Sequence, residues 1–165
     1  MIGKDEWEKI ALPVKQENYI LLYTLGKGAY VEDTVNEAKK LSEATGKKIL
    51  RISDKYEKNQ GIVNMRYCSP QKFLGLFAKA DIVITNSFHG TAFSIIFHKE
   101  FYANWNMPDN KGIRISNLLT LCGIVQGNFS DALKLRSAMN IDWNNVENKL
   151  IYEKNRSKEF FLSLL

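Results

Sequence analysis

The chain has 165 residues, of which 45% are hydrophobic and 25% are charged. These values are those of an ordinary globular domain and exclude a disordered or collagen-like chain. The 23 basic and 18 acidic residues give a net charge of +5. The basic residues are scattered and not gathered with aromatic ones, which argues against a nucleic-acid groove.

Cysteine and histidine are both scarce: the chain contains only Cys68, Cys122, His89 and His98. Their spacing matches no zinc motif, so we expect no metal site, and free thiols indicate a reducing compartment. The N-terminus is charged and lacks the apolar core of a signal peptide. No apolar run reaches the ~18 residues needed to cross a bilayer. The sequence therefore predicts a cytoplasmic protein with no transmembrane segment.

Residues 1–18 are mostly polar, and the spacing of their few apolar side chains predicts one short helix that ends at Pro13. We interpret this segment as a lead-in helix or linker outside the core. Residues 19–165 are expected to form a single domain.

The next part of the chain has the pattern of a βαβ unit. A continuous apolar run at 19–25, ended by glycine, predicts a buried parallel strand. Apolar residues at helical spacing over 31–41, with Gly46 at the C-cap position, predict a helix, and 48–53 predict a second strand.

Strands and helices continue to alternate through the rest of the sequence. In chain order we predict a polar loop (54–61), a strand (62–65), a helix opened by Ser69 and Pro70, a strand (81–85), a turn (86–90), a helix (91–97), a strand (100–103), a loop (104–112), a helix (113–121) ended by Gly123, a strand (124–125) and a long helix opened by Asp142, with Trp143, Val146, Leu150, Phe161 and Leu164 on one apolar stripe. This alternation predicts an α/β fold, a Rossmann-like parallel sheet with helices on both faces.

The turn at 86–90 is the strongest candidate site, because ligands of open α/β sheets bind at the carboxyl ends of strands. The helix that follows offers free N–H groups and a partial positive charge. Gly90 would let a ligand approach the backbone closely, Ser87 and Thr91 could cap the helix or bind an anion, and His89 could transfer a proton near neutral pH. An N-cap and a turn histidine are the structural alternative for the same residues.

Three other features of the sequence are candidate sites. Arg114, near a predicted helix start, is either an anion clamp or a neutral surface residue. Gly26-Lys27-Gly28 has neither the dinucleotide nor the P-loop pattern and predicts a plain strand-to-helix turn. His98 closes an apolar helix and has the character of a surface or capping residue.

The stretch from Ala80 to Phe97, with Ser87-Phe88-His89-Gly90 at its centre, resembles the signature of the polysaccharide pyruvyl transferase family. Segments 69–74, 114–123 and 141–162 resemble further parts of that family. The resemblance implies the C-terminal half of a two-domain protein of the GT-B glycosyltransferase type. It also implies that an N-terminal half, which would help to build the acceptor side of the cleft, is missing from this chain.

The resemblance implies transfer of a pyruvyl group from phosphoenolpyruvate to a pair of sugar hydroxyls, forming a ketal, in bacterial exopolysaccharide or capsule biosynthesis. The partners would be phosphoenolpyruvate, a saccharide acceptor in free or lipid-linked form, and the N-terminal domain. Phosphoenolpyruvate is a substrate, and no cofactor or metal is implied. His89 would be the general acid, and the substrates would be bound by Asn86, Ser87, Phe88, Gly90, Thr91 and Arg114. The chain alone is expected to be inactive.

Two other functions remain open from the sequence. A GT-B glycosyltransferase domain would place a sugar nucleotide in the same half, although no ribose-binding acidic residue stands out. A non-catalytic binding module would use the half-cleft as an interaction surface.

Overall fold

The computed structural model describes residues 3–55, 61–65, 67–107, 110, 112–126, 129, 131–138 and 140–164. Two predicted loops therefore fall partly outside the described residues. These are the loop at 54–61, of which 56–60 are not described, and the loop at 104–112, of which 108, 109 and 111 are not described.

Strands and helices alternate along most of the described chain. In order they are α1 (Lys4–Ile10), β1 (Tyr19–Thr24), α2 (Ala29–Thr45), β2 (Lys48–Ser53), β3 (Ile62–Asn64), α3 (Pro70–Lys79), β4 (Ile82–Thr85), α4 (Phe88–Ile96), β5 (Glu100–Ala103), α5 (Ile113–Cys122), α6 (Ala132–Ala138) and α7 (Trp143–Leu162).

The five strands form one parallel sheet in the order β3-β2-β1-β4-β5. At the centre of the sheet, Tyr23 of β1 is paired with Ile52 of β2 on one side and with Thr85 of β4 on the other. From β1, the chain adds β2 and β3 on one side of the sheet and then β4 and β5 on the other side. The strand order therefore reverses between β1 and β4. Such a switch point opens a crevice at the carboxyl ends of the two strands, which is where ligands bind in folds of this kind.

Helices cover both faces of the sheet, because successive strand residues point to opposite sides. Leu21 and Val83 belong to one core layer, which is closed by side chains of α3, α4, α5 and α7. Leu22 and Ile84 belong to the other layer, closed by α2 and α6. The predicted Rossmann-like α/β fold is thus confirmed.

Several helix ends follow the predicted capping chemistry. Ser69 Oγ accepts a hydrogen bond from the backbone N–H of Lys72 at 3.2 Å, and Pro70 is the first helical residue. Gly46 ends α2 in the left-handed conformation with φ +69°, where a side chain would be strained. Asp142 caps α7 by accepting from the backbone N–H of Asn145 at 3.1 Å.

The predicted strand at 124–125 is wrong, because these residues form no strand. The chain instead brings the amide side chain of Gln126 to the outer edge of β5. Its Oε1 accepts from Ala103 N–H and its Nε2 donates to Ala103 C=O, both at 2.9 Å. One buried side chain thus takes the hydrogen bonds that a sixth strand would have made.

Helix α7 has 20 residues, but only its first half packs as its apolar stripe predicted. Val146 is buried, whereas Phe161 and Leu164 are 67% and 66% exposed. Periodicity alone therefore overestimated the buried part of the stripe. Over the described ranges, no helix is both long enough and apolar enough for a membrane crossing.

The lead-in segment packs against the domain. The ring of Trp7 meets Phe93 of α4 edge-on, with centroids 5.2 Å apart. The backbone N–H of Leu12 donates to Gln71 C=O at 2.9 Å. The carbonyl group of Leu12 also lies where a Cβ on Gly75 of α3 would stand. A side chain at position 75 would therefore push the lead-in away from α3.

Gly75→Ala should lower the free energy of unfolding by about 1–3 kcal/mol, which is typical of overpacking. In an unobstructed helix the same change would be stabilising by up to ~1 kcal/mol, so the sign of the effect reports the contact. Urea denaturation followed by circular dichroism measures it. Gly3→Ala is the control, since a methyl group there meets nothing within 4 Å. A Gly75→Ala variant as stable as the parent would contradict the packing described.

Candidate functional site

One amide side chain joins the loops that follow β1 and β4. Asn86 follows β4 and is 4% exposed. Its Oδ1 accepts from the backbone N–H of Leu25 at 2.9 Å, and its Nδ2 donates to the carbonyl oxygen of Leu25 at 3.0 Å. Because Leu25 directly follows β1, these two hydrogen bonds hold the two loops of the switch point together.

Helix α4 begins three residues earlier than predicted, at Phe88, because Ser87 acts as its N-cap. Ser87 Oγ accepts from the backbone N–H of Gly90 at 3.5 Å, and Thr91 Oγ1 donates to the carbonyl oxygen of Ser87 at 3.0 Å. The predicted turn at 86–90 is therefore mostly the first turn of a helix. His89 is its second residue.

Gly90 makes close helix–strand packing possible. A Cβ at this position would collide with the side chain of Thr85, which is itself fully buried. The sequence predicted that the missing side chain would admit a ligand. The structure shows that Thr85 occupies that space.

Phe88, His89 and Arg114 come together at the accessible end of α4. His89 is exposed, and its ring centroid lies 5.8 Å from that of Phe88 at an interplanar angle of 80°. The guanidinium carbon of Arg114 lies 4.3 Å from the Phe88 ring centroid. Arg114 is in the first turn of α5, so its guanidinium links the start of that helix to Phe88, the first residue of α4.

The electrostatic character of this corner is positive. Neither α4 nor α5 carries an acidic residue in its first turn, and Gly112 gives α5 no side-chain cap. In the part of the chain that the structure describes, neither His89 nor Arg114 pairs with a carboxylate. Among the described residues, the first turns of two helices and a guanidinium thus lie near Phe88 without a paired carboxylate, an arrangement that suits an anionic ligand.

The predicted site residues therefore divide into two groups. The side chains of Asn86, Ser87 and Thr91 are buried and hydrogen-bonded within the protein, and Gly90 packs on the sheet. These four residues form a frame, and a ligand would meet the backbone of the first turn of α4. The groups that present chemistry to solvent are His89 and Arg114, with the half-buried Phe88 between them.

Two side chains that the sequence did not mark as site residues support this frame. Thr85 Oγ1 donates to the carbonyl oxygen of Tyr23 at 2.7 Å and accepts from the backbone N–H of Ser87 at 3.0 Å. Burial of the Tyr23 phenol raises its pKa, against the opposing effect of a hydrogen bond with Ser87, so the hydroxyl stays protonated. The only sequence signal was the place of both residues near the carboxyl ends of predicted strands.

A further missed residue, Asp54, organises the neighbouring glycine turn. It follows β2, and its Oδ1 accepts from the backbone N–H of Gly26 at 3.0 Å. This bond fixes the turn between β1 and α2 on the other side of the switch point. It gives the Gly26–Gly28 turn a structural explanation.

His98 lies at the opposite end of α4 from His89. Its ring stacks on Trp143 at a centroid distance of 4.8 Å, and its Nε2 lies 3.1 Å from Oε1 of Glu147. His98 therefore connects α4 to α7 and takes no part in the candidate site. Among the described residues, no three histidine, cysteine or carboxylate side chains gather as metal ligands would.

The family of the chain follows from a comparison with family models. A family model described as "Polysaccharide pyruvyl transferase" matches residues 8–105. The match includes the whole turn from Asn86 to Thr91 and ends before Arg114. No curated protein sequence matches the chain.

Two solved structures share the fold. A UDP-GlcNAc 2-epimerase from Methanocaldococcus jannaschii, in complex with UDP-GlcNAc and UDP, superposes with a TM-score of 0.55 at 16% identity, covering 92% of this chain and 48% of that one. A second structure of UDP-GlcNAc 2-epimerase from the same organism gives 0.50 at 11% identity, covering 89% and 41%. The chain thus spans about half the length of these neighbours. At such identities the likeness concerns the fold alone, and it agrees with a GT-B-like half.

Gly90→Ala should destabilise the protein by about 1–3 kcal/mol, because the added methyl group has to displace the hydrogen-bonded Thr85 side chain. Urea denaturation of Gly90→Ala, Thr85→Ala and the double variant measures the coupling between the two sites. We expect Gly90→Ala to cost less in the Thr85→Ala background, where Oγ1 and Cγ2 are gone and only the Cβ of residue 85, 2.9 Å from the added methyl group, has to shift. Equal costs in both backgrounds would show that Thr85 is not the obstacle.

Proposed function

Because this chain belongs to the polysaccharide pyruvyl transferase family, we propose that it forms the phosphoenolpyruvate-binding side of a pyruvyl transferase cleft. The observation that carries the proposal is the exposed imidazole of His89 next to a Phe88 ring whose face holds the guanidinium of Arg114, with both residues in the first turns of their helices. The reaction is the transfer of a pyruvyl group to a pair of sugar hydroxyls of a bacterial capsule or exopolysaccharide precursor, in the cytoplasm.

The charges of the donor fit this corner. Phosphoenolpyruvate carries a phosphate and a carboxylate on one carbon atom, C2. The backbone N–H groups at the start of α4 would bind one anionic group, with Gly90 and Ser87 holding the helix turn in place. Arg114 would bind the other in bidentate fashion. This division of roles explains why four of the six predicted binding residues are buried frame residues.

The position of His89 supports a role in proton transfer. Protonated His89 would give a proton to the methylene carbon of phosphoenolpyruvate, and C2 would become electrophilic. One sugar hydroxyl then adds to C2 and returns its proton to the imidazole. The second hydroxyl bonds to C2 as the C2–O bond to phosphate breaks, and its proton leaves with the phosphate. The products are a cyclic ketal and inorganic phosphate.

The exposure of His89 also explains why this half would need a second one. An oxocarbenium-like C2 reacts with water, so the chemistry requires a site from which water is excluded. In this chain the imidazole faces solvent. We propose that residues 19–165 form the donor domain, that 1–18 lead into it, and that a separate N-terminal half provides the acceptor wall. The chain alone should bind the donor without turnover.

His89→Ala in the complete two-half enzyme should lower kcat by about 10²–10⁴-fold, the usual contribution of a general acid. Because the side chain is exposed, the free energy of unfolding should change by less than ~0.5 kcal/mol. Ketal formation and phosphate release report the rate, and urea denaturation reports the stability. His98→Gln, which keeps a hydrogen-bond donor for Glu147 just beyond the other end of α4, is the control for the loss of a histidine. Unchanged turnover in His89→Ala would remove the histidine from the mechanism.

Binding to the isolated chain separates the proposed function from its alternatives. Calorimetric titration should show phosphoenolpyruvate binding that Arg114→Met weakens roughly tenfold, in keeping with the loss of a charge-assisted contact. Arg156→Met, which removes an exposed arginine of α7, should leave the affinity unchanged. UDP-GlcNAc is the competing ligand. Tighter binding of the sugar nucleotide would favour a glycosyltransferase, and donor binding without transfer in the complete protein would favour a binding module.

A further inference from the structure

The ring of Phe88 stands between the two groups that present chemistry at the site. One face lies 4.3 Å, measured to its centroid, from the guanidinium carbon of Arg114. The His89 ring meets it nearly perpendicularly at 5.8 Å. The phenyl group is half-buried and packs against the core layer that contains α3, α4 and α5, so its own orientation is fixed by the interior.

Arg114 needs such a partner to stay at the site. An arginine in the first turn of a helix is repelled by the positive end of the helix dipole, and the first turn of α4 adds a second positive end. In the described part of the chain no carboxylate pairs with Arg114. A long exposed side chain under these conditions would move into solvent. The Phe88 ring supplies an attraction of the cation–π type that opposes this movement.

We propose that Phe88 is a positioning residue that holds the Arg114 guanidinium beside the N-terminus of α4, so that the anion grip is preformed next to His89. The inference rests on the proposed function. It also differs from the role that the family resemblance implied for Phe88, because the ring acts through Arg114 and touches no ligand. Because the ring already restrains Arg114, the side chain loses less entropy when an anion binds.

The experiment compares Phe88→Leu and Phe88→Met, which keep an apolar side chain but remove the π face, with Phe88→Tyr, which keeps it. The ¹H–¹⁵N signal of Arg114 Nε reports whether the guanidinium still lies over a ring, because an aromatic face shifts it upfield. Phosphoenolpyruvate affinity is measured by calorimetry in each variant, with and without Arg114→Met. Urea denaturation identifies any variant that is not folded, and the other aliphatic variant then replaces it.

We expect the Arg114 signal to lose its upfield shift in the aliphatic variants and the affinity to fall roughly two- to fivefold, the size of an exposed cation–π contact. Phe88→Tyr should keep both the shift and the affinity. In the Arg114→Met background, Phe88→Leu should have no further effect.

Two results would overturn the inference while the proposed function stands. These are an Arg114 signal that does not move in Phe88→Leu, and an affinity loss that is the same in the Arg114→Met background. If Arg114→Met itself leaves phosphoenolpyruvate affinity unchanged, the proposed anion grip fails, and the role of Phe88 fails with it.

Discussion

The Thr85 hydroxyl connects three parts of the molecule at the carboxyl edge of the sheet. It donates to the Tyr23 carbonyl of β1 and accepts from the backbone N–H of Ser87, while the rest of the side chain fills the space beside Gly90. These contacts decide where α4 leaves the sheet and how closely it packs. The positions of Phe88 and His89 depend on that departure point, because they are the first two residues of the helix.

Within residues 86–91, most polar side chains serve the structure, and one side chain is exposed. The buried polar side chains make hydrogen bonds within the protein, such as the two between Asn86 and the Leu25 backbone. The side chain that points outward is an imidazole with freedom to meet a ligand. A rigid interior frame beneath an accessible reactive group is the usual way in which a fold holds catalytic geometry. Residues 86–91 therefore form a hydrogen-bonded scaffold that exposes one imidazole.

Sequence patterns predicted the parts of the fold that local chemistry determines. The apolar run of β1, the Ser69 cap and the Gly46 helix end each depend on residues within a few positions of one another. The features that were missed depend on distant partners. Asn86 binds a backbone 61 positions away, and Gln126 binds one 23 positions away. No pattern along the chain marks such pairs.

The candidate site shows the same limit. The strand-to-helix turn and its histidine could be found from sequence, because the hydrophobic pattern and the family signature both mark them. The approach of Arg114 to Phe88 could not, since it depends on how α5 packs beside α4. The contact of Gly90 with Thr85 is likewise not visible in the sequence, because a missing side chain can make room for a ligand or for a neighbouring strand.

The amide of Gln126 has a consequence for the behaviour of the protein in a crowded solution. An outermost β-strand offers unpaired main-chain donors and acceptors on which a strand from another molecule can add, and such addition is a route to aggregation. Here the donor and acceptor of Ala103 are already satisfied from within the same molecule. In a strand of only four residues, this leaves little free backbone on which an intermolecular sheet could begin to grow.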